Sequence, residues 1–257
     1  MPKDKDTDAT IPTNMRLLMV LEEMARVGVP ITPTEANLSL GLPKPTVHRL
    51  FHTLEESGFV QRDIDGKSYS PGRRLRKLSV NVLSSLRVRT VRVAILQTLA
   101  DDVGETCNIA TPDRDAMVYL DRVETKWPLR IQMPIGTSVP FFCTASGKMY
   151  LSSLLPSHFE RYLATIKLDA KTPRTIVATD ELRAEIAQIR KRGYATDQEE
   201  FMEGMVAVAV PIRDDQGRLV STLSIHAPDQ RLSLPDLLGH LPRLQKAADA
   251  LSELLLQ

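Results

Sequence analysis

The stretch GLPKPTVHRLFHTLEESGFVQRD, residues 41–63, decides how the rest of the chain is read. Val47, Leu50, Phe51 and Leu54 recur at i, i+3, i+4 and i+7, which predicts a helix with one buried face. At ~100° per residue the opposite face centres on Pro45, Arg49 and His52, flanked by Thr46, His48 and Thr53. Lys44 stands at the start of the same helix. Such side chains can meet base edges and phosphates. Glu55 and Glu56 sit at the far end, where phosphate would repel them. The leading half of the helix is therefore the part suited to a DNA groove. Any amphipathic helix has a polar outer face, so the flanking segments have to agree.

They do. Upstream, Leu17, Leu18, Leu21, Met24 and Ala25 share one face of a helix over residues 14–27. Thr13 or Asn14 is expected to cap it, Gly28 to close it, and Pro30 to block its continuation. A second helix begins at TPTE: Thr32 is the expected N-cap, Pro33 the first helical residue, and Glu35 completes a capping box. It stops near Gly41. Downstream, FVQRD and KSYS read as paired strands around an Asp65-Gly66 turn. Three helices and a two-stranded ribbon make a winged helix-turn-helix, with Arg62 and Lys67 expected at the wing tip, near phosphates.

Charge is distributed to match. Residues 44–92 hold eleven Lys/Arg against four Asp/Glu, whereas residues 93–257 hold eighteen against twenty-two. A cationic N-terminal part and a mildly acidic remainder suggest that a polyanion contacts the first part only. The length of 257 residues suits two domains. Cys107 and Cys143 are the only cysteines, which argues against a disulfide framework and fits a reducing cytoplasm. No apolar run reaches the ~18 residues of a membrane span, no signal-peptide pattern opens the sequence, and no membrane partner is expected. The charged opening MPKDKDTDAT, and residues 1–12 generally, are expected to be unfolded.

After the Pro71-Gly72 break, Leu75, Leu78, Val82 and Leu86 form a narrow apolar stripe behind Arg73, Arg74, Arg76 and Lys77. Such a stripe pairs with a second copy of the chain, or packs within its own. Pairing would set two recognition helices on a pseudo-palindromic operator. Another amphipathic segment spans residues 90–103, with Val93, Leu96, Leu99 and Ala100 on one face. From Glu105 the period shortens. Strand-like runs cover residues 107–111, 116–123 and 129–133, the region near Tyr194, MVAVAVPIRD (205–214) and RLVSTLSIHAP (218–228). Helical stretches cover 145–154, 156–165, 180–192 and 242–255. The expected fold class is mixed, α+β, with an antiparallel sheet flanked by helices behind the winged unit.

The chain from about Asn14 onward resembles the IclR-type transcriptional regulators. The resemblance rests on GLPKPTVHRLFHTLEESGFV, on IGTSVPFFCTASGKMYLS (135–152) and on RGYATDQEEFMEGMVAVAVPIRDDQG (192–217). It implies a winged helix-turn-helix over residues 13–71, a linker helix over 72–89 and a GAF-like effector-binding domain over 90–257. Dimers, often tetramers, and control by a small organic or aromatic acid are implied too. The effector positions carried over are Ala145, Ser146, Asp197, Met205, Ala207, Ser224 and His226. Their chemistry is plausible in itself. The N–H groups of Ala145 and Ser146 would open a helix and can hold a carboxylate. Ser224 and His226 alternate on a strand and so share a side. Asp197 can accept from a hydroxyl, an amide or a protonated acid, and Met205 supplies apolar wall. There are departures. The family often has Cys where Ala207 stands and His where Cys143 stands, and His226 is bulkier than the small polar residue expected there. Asn37 occupies a position usually held by Ala, which puts the register of the second helix in question.

Other function classes have thinner support. Cys143 with His226 would suggest a thiol enzyme, but a buried inert cysteine is the commoner case. The SGK at 146–148 lacks the glycine-rich lead of a phosphate loop. No HExxH and no paired CxxC occurs, so neither a metal nor a cofactor is expected. The acids of DQEE (Asp197, Glu199, Glu200) read as solvated in an enzyme context. A protein-binding scaffold is the remaining alternative. The reading adopted is a DNA-binding regulator modulated by a small acid, without catalytic residues.

Overall fold

The computed structural model describes residues 12–63, 65–83, 86–128 and 133–254. Its contacts divide the chain into one unit over residues 1–83 and another over 84–257. In the first unit, α1 (Thr13–Val27), α2 (Pro33–Leu40) and α3 (Lys44–Glu56) precede a hairpin of β1 (Val60–Arg62) and β2 (Tyr69–Pro71), followed by α4 (Arg73–Leu83). Val20, Met24, Ala36, Val47, Leu50, Phe51, Leu54, Val60 and Tyr69 form its core. Phe51 and Tyr69 stack with centroids 5.0 Å apart, fixing the hairpin to α3. Ile31 adds an isolated antiparallel bridge to Tyr69.

Local chemistry explains the turns. Thr32 and Glu35 form the expected capping box, with Pro33 in the first turn. The expected cap of α1 is corrected: Thr13 is already helical, and Pro12 precedes it without a side-chain cap. The Pro12 carbonyl accepts from Met15 and Arg16 N–H, at 3.0 and 3.3 Å, and so starts the helix from the backbone. Asn37 answers the register question. Its Nδ2 donates to the Leu42 carbonyl at 2.8 Å and its Oδ1 accepts from Leu42 N–H at 2.9 Å. The side chain thus clamps the turn between α2 and α3, where Gly41 takes φ +62°. Gly72 is required by proximity: a Cβ there would collide with the backbone of Gly58 and Phe59.

The second unit runs α5 (Leu86–Val103), β3 (Thr106–Asp113), β4 (Ala116–Val123), β5 (Ser138–Pro140), α6 (Ala145–Ser153), α7 (Pro156–Thr165), α8 (Thr179–Arg192), β6 (Ala195–Gln198), β7 (Met205–Arg213), β8 (Leu219–Pro228), α9 (Leu234–Leu238) and α10 (Leu241–Leu254). Six antiparallel strands lie in the order β5-β4-β3-β8-β7-β6. Of the strand expected over 129–133, residues 129–132 lie outside the described residues, and Met133 is not in a strand. The short β5 and α9 were not anticipated; three and five residues are too few to show a period.

Alternation gives the sheet two buried faces. Cys107, Ile109, Val206, Val208, Leu223 and Ile225 pack with residues of α5 and α10. Ala110, Met117, Tyr119, Met205, Ala207 and Ala209 pack with residues of α6 and α8. In β4 the pairing slips between Ile109 and Ala110, so Leu120 and Asp121 together oppose Ile109. That bulge turns both Tyr119 and Arg122 toward the α6 face, although three positions separate them. It leaves Asp121 on the other face, bonded by Arg89 Nε at 3.1 Å and Arg92 Nε at 2.7 Å from α5.

Candidate functional site

Two surfaces carry the sequence-derived residues. On α3, Val47, Leu50, Phe51 and Leu54 are buried, and Lys44, Pro45, His48, Arg49 and His52 are exposed, with Thr46 half-buried. His52 Nε2 lies 3.4 Å from Glu56 one turn on. The acids are confined to the trailing end, so the leading half of the face is cationic. Arg62 is at the end of β1, held by Glu55 Oε1 at 2.9 Å and the Gly66 carbonyl at 3.1 Å. Its guanidinium also lies 5.1 Å from the Tyr69 ring centroid. Arg62 thus ties the hairpin to α3, whereas the Lys67 side chain is exposed in the turn.

The other seven residues converge beneath α6. Cross-strand partners point to one side, and the register lines up Asp197, Ala207, His226 and Thr106 across β6, β7, β8 and β3. The next row holds Ala195, Ala209, Ser224, Asn108 and Arg122. Met205 lies two residues before Ala207 on β7, on the same face. Above them, Thr144 caps α6 by accepting from Gly147 N–H at 3.0 Å. This leaves the first-turn amides of Ala145 and Ser146 without intrahelical acceptors. Gly147 lets the helix approach, because a Cβ there would strike the Phe141 backbone. All seven side chains are buried, which rules out the solvated reading of Asp197.

Several polar atoms in this buried space have no partner among the described residues: Ser146 Oγ, Asp197 Oδ2, Glu200 Oε2, His226 Nδ1 and Asn108 Nδ2. Asp197 Oδ1 accepts from Glu200 N–H at 2.8 Å and Phe201 N–H at 3.4 Å. Burial, reinforced by the Glu200 charge, pushes its carboxyl up to about 7, so it can accept or donate near neutrality. Lys148 on α6 is buried and paired with Glu200, whose own carboxyl is raised by burial against the pull of Lys148. His226 Nε2 lies 3.0 Å from Ser224 Oγ, and its ring meets Tyr119 edge-on at 6.1 Å. Burial, then the Arg122 charge, lowers His226 to about 3 and keeps it neutral. Burial likewise raises the Cys143 thiol to about 12. A protonated thiol and a feebly basic imidazole make a poor nucleophile and base, which weakens the thiol-enzyme alternative. Among the described residues no His/Cys/Asp/Glu group could hold a metal ion, and no helix is long and apolar enough to cross a membrane.

Sequence reasoning missed Asn108, Arg122, Lys148 and Glu200. Asn108 carried a faint signal, since it alternates with Cys107 and Ile109. Arg122 carried none, because the bulge sets its side.

A winged helix-turn-helix followed by a separate antiparallel-sheet domain defines a class of transcriptional regulator. Residues 15–63 match the IclR helix-turn-helix domain, and residues 80–253 match the bacterial transcriptional regulator IclR C-terminal domain. The chain belongs to the IclR family of transcriptional regulators. It is 38% identical over 235 residues to a probable transcriptional regulator SauR of Cupriavidus necator, covering 91% of this chain and 93% of that one. The crystal structure of the Thermotoga maritima IclR superposes with a TM-score of 0.63 at 29% identity, covering 95% and 98% of the two chains. An IclR homolog from Microbacterium hydrocarbonoxydans, complexed with 4-hydroxybenzoate, shares the fold at a TM-score of 0.61 and 23% identity, covering 95% and 99%.

Proposed function

We propose that this regulator binds duplex operator DNA through Lys44, Pro45, Thr46, His48, Arg49 and His52, with Arg62 and Lys67 of the wing. A small carboxylic acid bound beneath α6, by Ala145, Ser146, Asp197, Met205, Ala207, Ser224 and His226, modulates that binding. One observation carries the ligand half. Ser146 Oγ, Asp197 Oδ2 and His226 Nδ1 are buried on one face without partners. Each such atom costs about 1–3 kcal/mol if nothing bonds it. Three together mark a space kept for a polar guest. A relative in fold holds 4-hydroxybenzoate, itself a carboxylic acid.

In this reading residues 13–71 contact DNA, 72–89 link, and 90–257 sense the acid in the cytoplasm, without catalysis or cofactor. Leu78 and Val82 are half-exposed on α4, which supports pairing of two chains, or four, on a pseudo-palindromic site. The acid acts by its difference in affinity for two arrangements of the dimer. The test is a thermal-shift screen of small carboxylates on the full chain, followed by anisotropy titration of duplex DNA selected by the chain. Stabilising acids should change DNA affinity and be recovered unaltered. Acids that stabilise without changing it, or that are turned over, would overturn the reading.

A further inference from the structure

The charges around Asp197 pair off and leave it out. Lys148 is engaged by Glu200, and Glu185 by Arg192 at 2.8 Å, with Glu185 also 3.8 Å from Lys148. Among the described residues no cation makes an ion pair with Asp197, which is fully buried on β6. The Glu200 and Phe201 N–H groups hold its Oδ1, and Oδ2 has nothing bonded to it. Ser146 Oγ, in the first turn of α6, is buried and unbonded in the same way. A buried carboxylate without a cation is costly, so such a group keeps a proton more readily than an ordinary aspartate. Burial and then the Glu200 charge outweigh the two N–H groups and Lys148, which puts Asp197 at about 7. The other titratable groups around it do not change charge there. His226 on β8 is neutral, and burial raises both the Cys143 thiol ahead of α6 and the Tyr119 phenol on β4 to about 12. Arg122 on β4 is permanently charged, Lys171 ahead of α8 is exposed, and β7 sets Ala207 opposite Asp197. Asp197 is therefore the group whose proton a guest can move.

We infer that the effector's carboxylate binds together with one proton, held between it and Asp197 Oδ2, so that the regulator reads acid and pH jointly. This rests on reading the space beneath α6 as an effector site. Two carboxylates in contact cannot both keep their charge. Lys148, already engaged by Glu200 and Glu185, does not offset a second anion. The Ala145 and Ser146 amides and Ser146 Oγ donate to the guest carboxylate, and the Asp197 O–H donates to it as well. Below about 7, Asp197 holds its proton before the guest arrives, and the anion binds with no uptake. Above that value the proton comes from solvent, so affinity falls about tenfold for each pH unit. A guest that set a hydroxyl or an amide against Asp197 would bind with no proton at any of these pH values.

The experiment is calorimetric titration of the full chain with acetate, lactate, benzoate and 4-hydroxybenzoate, at about pH 6 and about pH 8. Each titration is run in two buffers of different ionisation enthalpy, because the buffer dependence of the heat counts the protons taken up. For an acid that binds, uptake should be close to zero at the lower pH and close to one at the higher, with Kd about tenfold weaker there. Asp197→Asn keeps the shape and offers an N–H where the protonated acid offers its O–H. In that variant uptake should vanish and the two pH values should give equal affinities. Its folding is checked by melting without acid, and the proton count of the natural chain stands without it. Binding with no uptake at the higher pH would overturn the shared proton and leave the effector site standing. Uptake that persists in folded Asp197→Asn would overturn it too. Binding of none of these acids would sink both readings.

Discussion

Asp197 and His226 titrate in opposite senses. Folded Asp197 holds its proton up to about 7, whereas an unfolded aspartate loses it near ~4. Between those values the folded state binds the extra proton, so this group makes stability fall as pH rises. Folded His226 titrates at about 3 and an unfolded histidine near ~6.5, so there the unfolded chain binds the extra proton and stability rises with pH. From pH ~4 to ~6.5 the two slopes largely cancel. Asp197→Asn should therefore leave stability climbing with pH, and His226→Gln should leave it declining. Each slope is on the order of 1 kcal/mol per pH unit, read by urea unfolding across that range. Parallel curves for the two variants would mean that neither group carries the linkage. Asn37 has a different task, holding Leu42 by both ends of its amide. Asn37→Ala removes two hydrogen bonds and should cost about 1–2 kcal/mol, measured as a lowered melting temperature.

The elements carrying the DNA face were largely legible, because their signals are local. The periodicity of α3, the capping box of α2 and the Asp65-Gly66 turn all lie within a few residues. What escaped was set across the chain. The burial of Asp197 and Glu200 depends on Lys148, some fifty residues earlier, to offset their charge. Asn108 and Arg122 meet only once β3 and β4 are paired with a bulge between them. Arg62 was expected at the wing tip, yet Glu55 on α3 holds it at the strand end. The two wing cations should therefore behave differently. Lys67→Ala should reduce the salt slope of DNA binding by about one for each chain bound and leave melting unchanged. Arg62→Ala should lower the melting temperature as well, because it releases the hairpin from α3. Identical effects from the two changes would contradict that division of labour.

Across the whole molecule, each unit has cores of its own. Damage to one surface should therefore leave the other able to fold. Arg49→Ala should weaken DNA binding and preserve the melting shift given by a stabilising acid; loss of both would argue against separate modules. In the proposed dimer, ~6–10 phosphate contacts predict an affinity loss of ~10³–10⁵ between 50 and 200 mM salt. Anisotropy titrations at several salt concentrations measure that slope. A flat response would favour a protein partner over a polyanion.

The one-residue irregularity at Leu120 fixes which residues of β4 face which layer. It works like a phase marker on β4, deciding which inhabitants of that strand meet the guest and which meet the helix behind. Excising Leu120 would restore one-to-one pairing and leave Asp121 and Arg122 on their present sides, whereas straightening the strand with Leu120 kept in it would exchange them and deliver an acid where a cation had stood. A strand that kept the residue and lost the irregularity would then present the opposite charge to whatever the site holds.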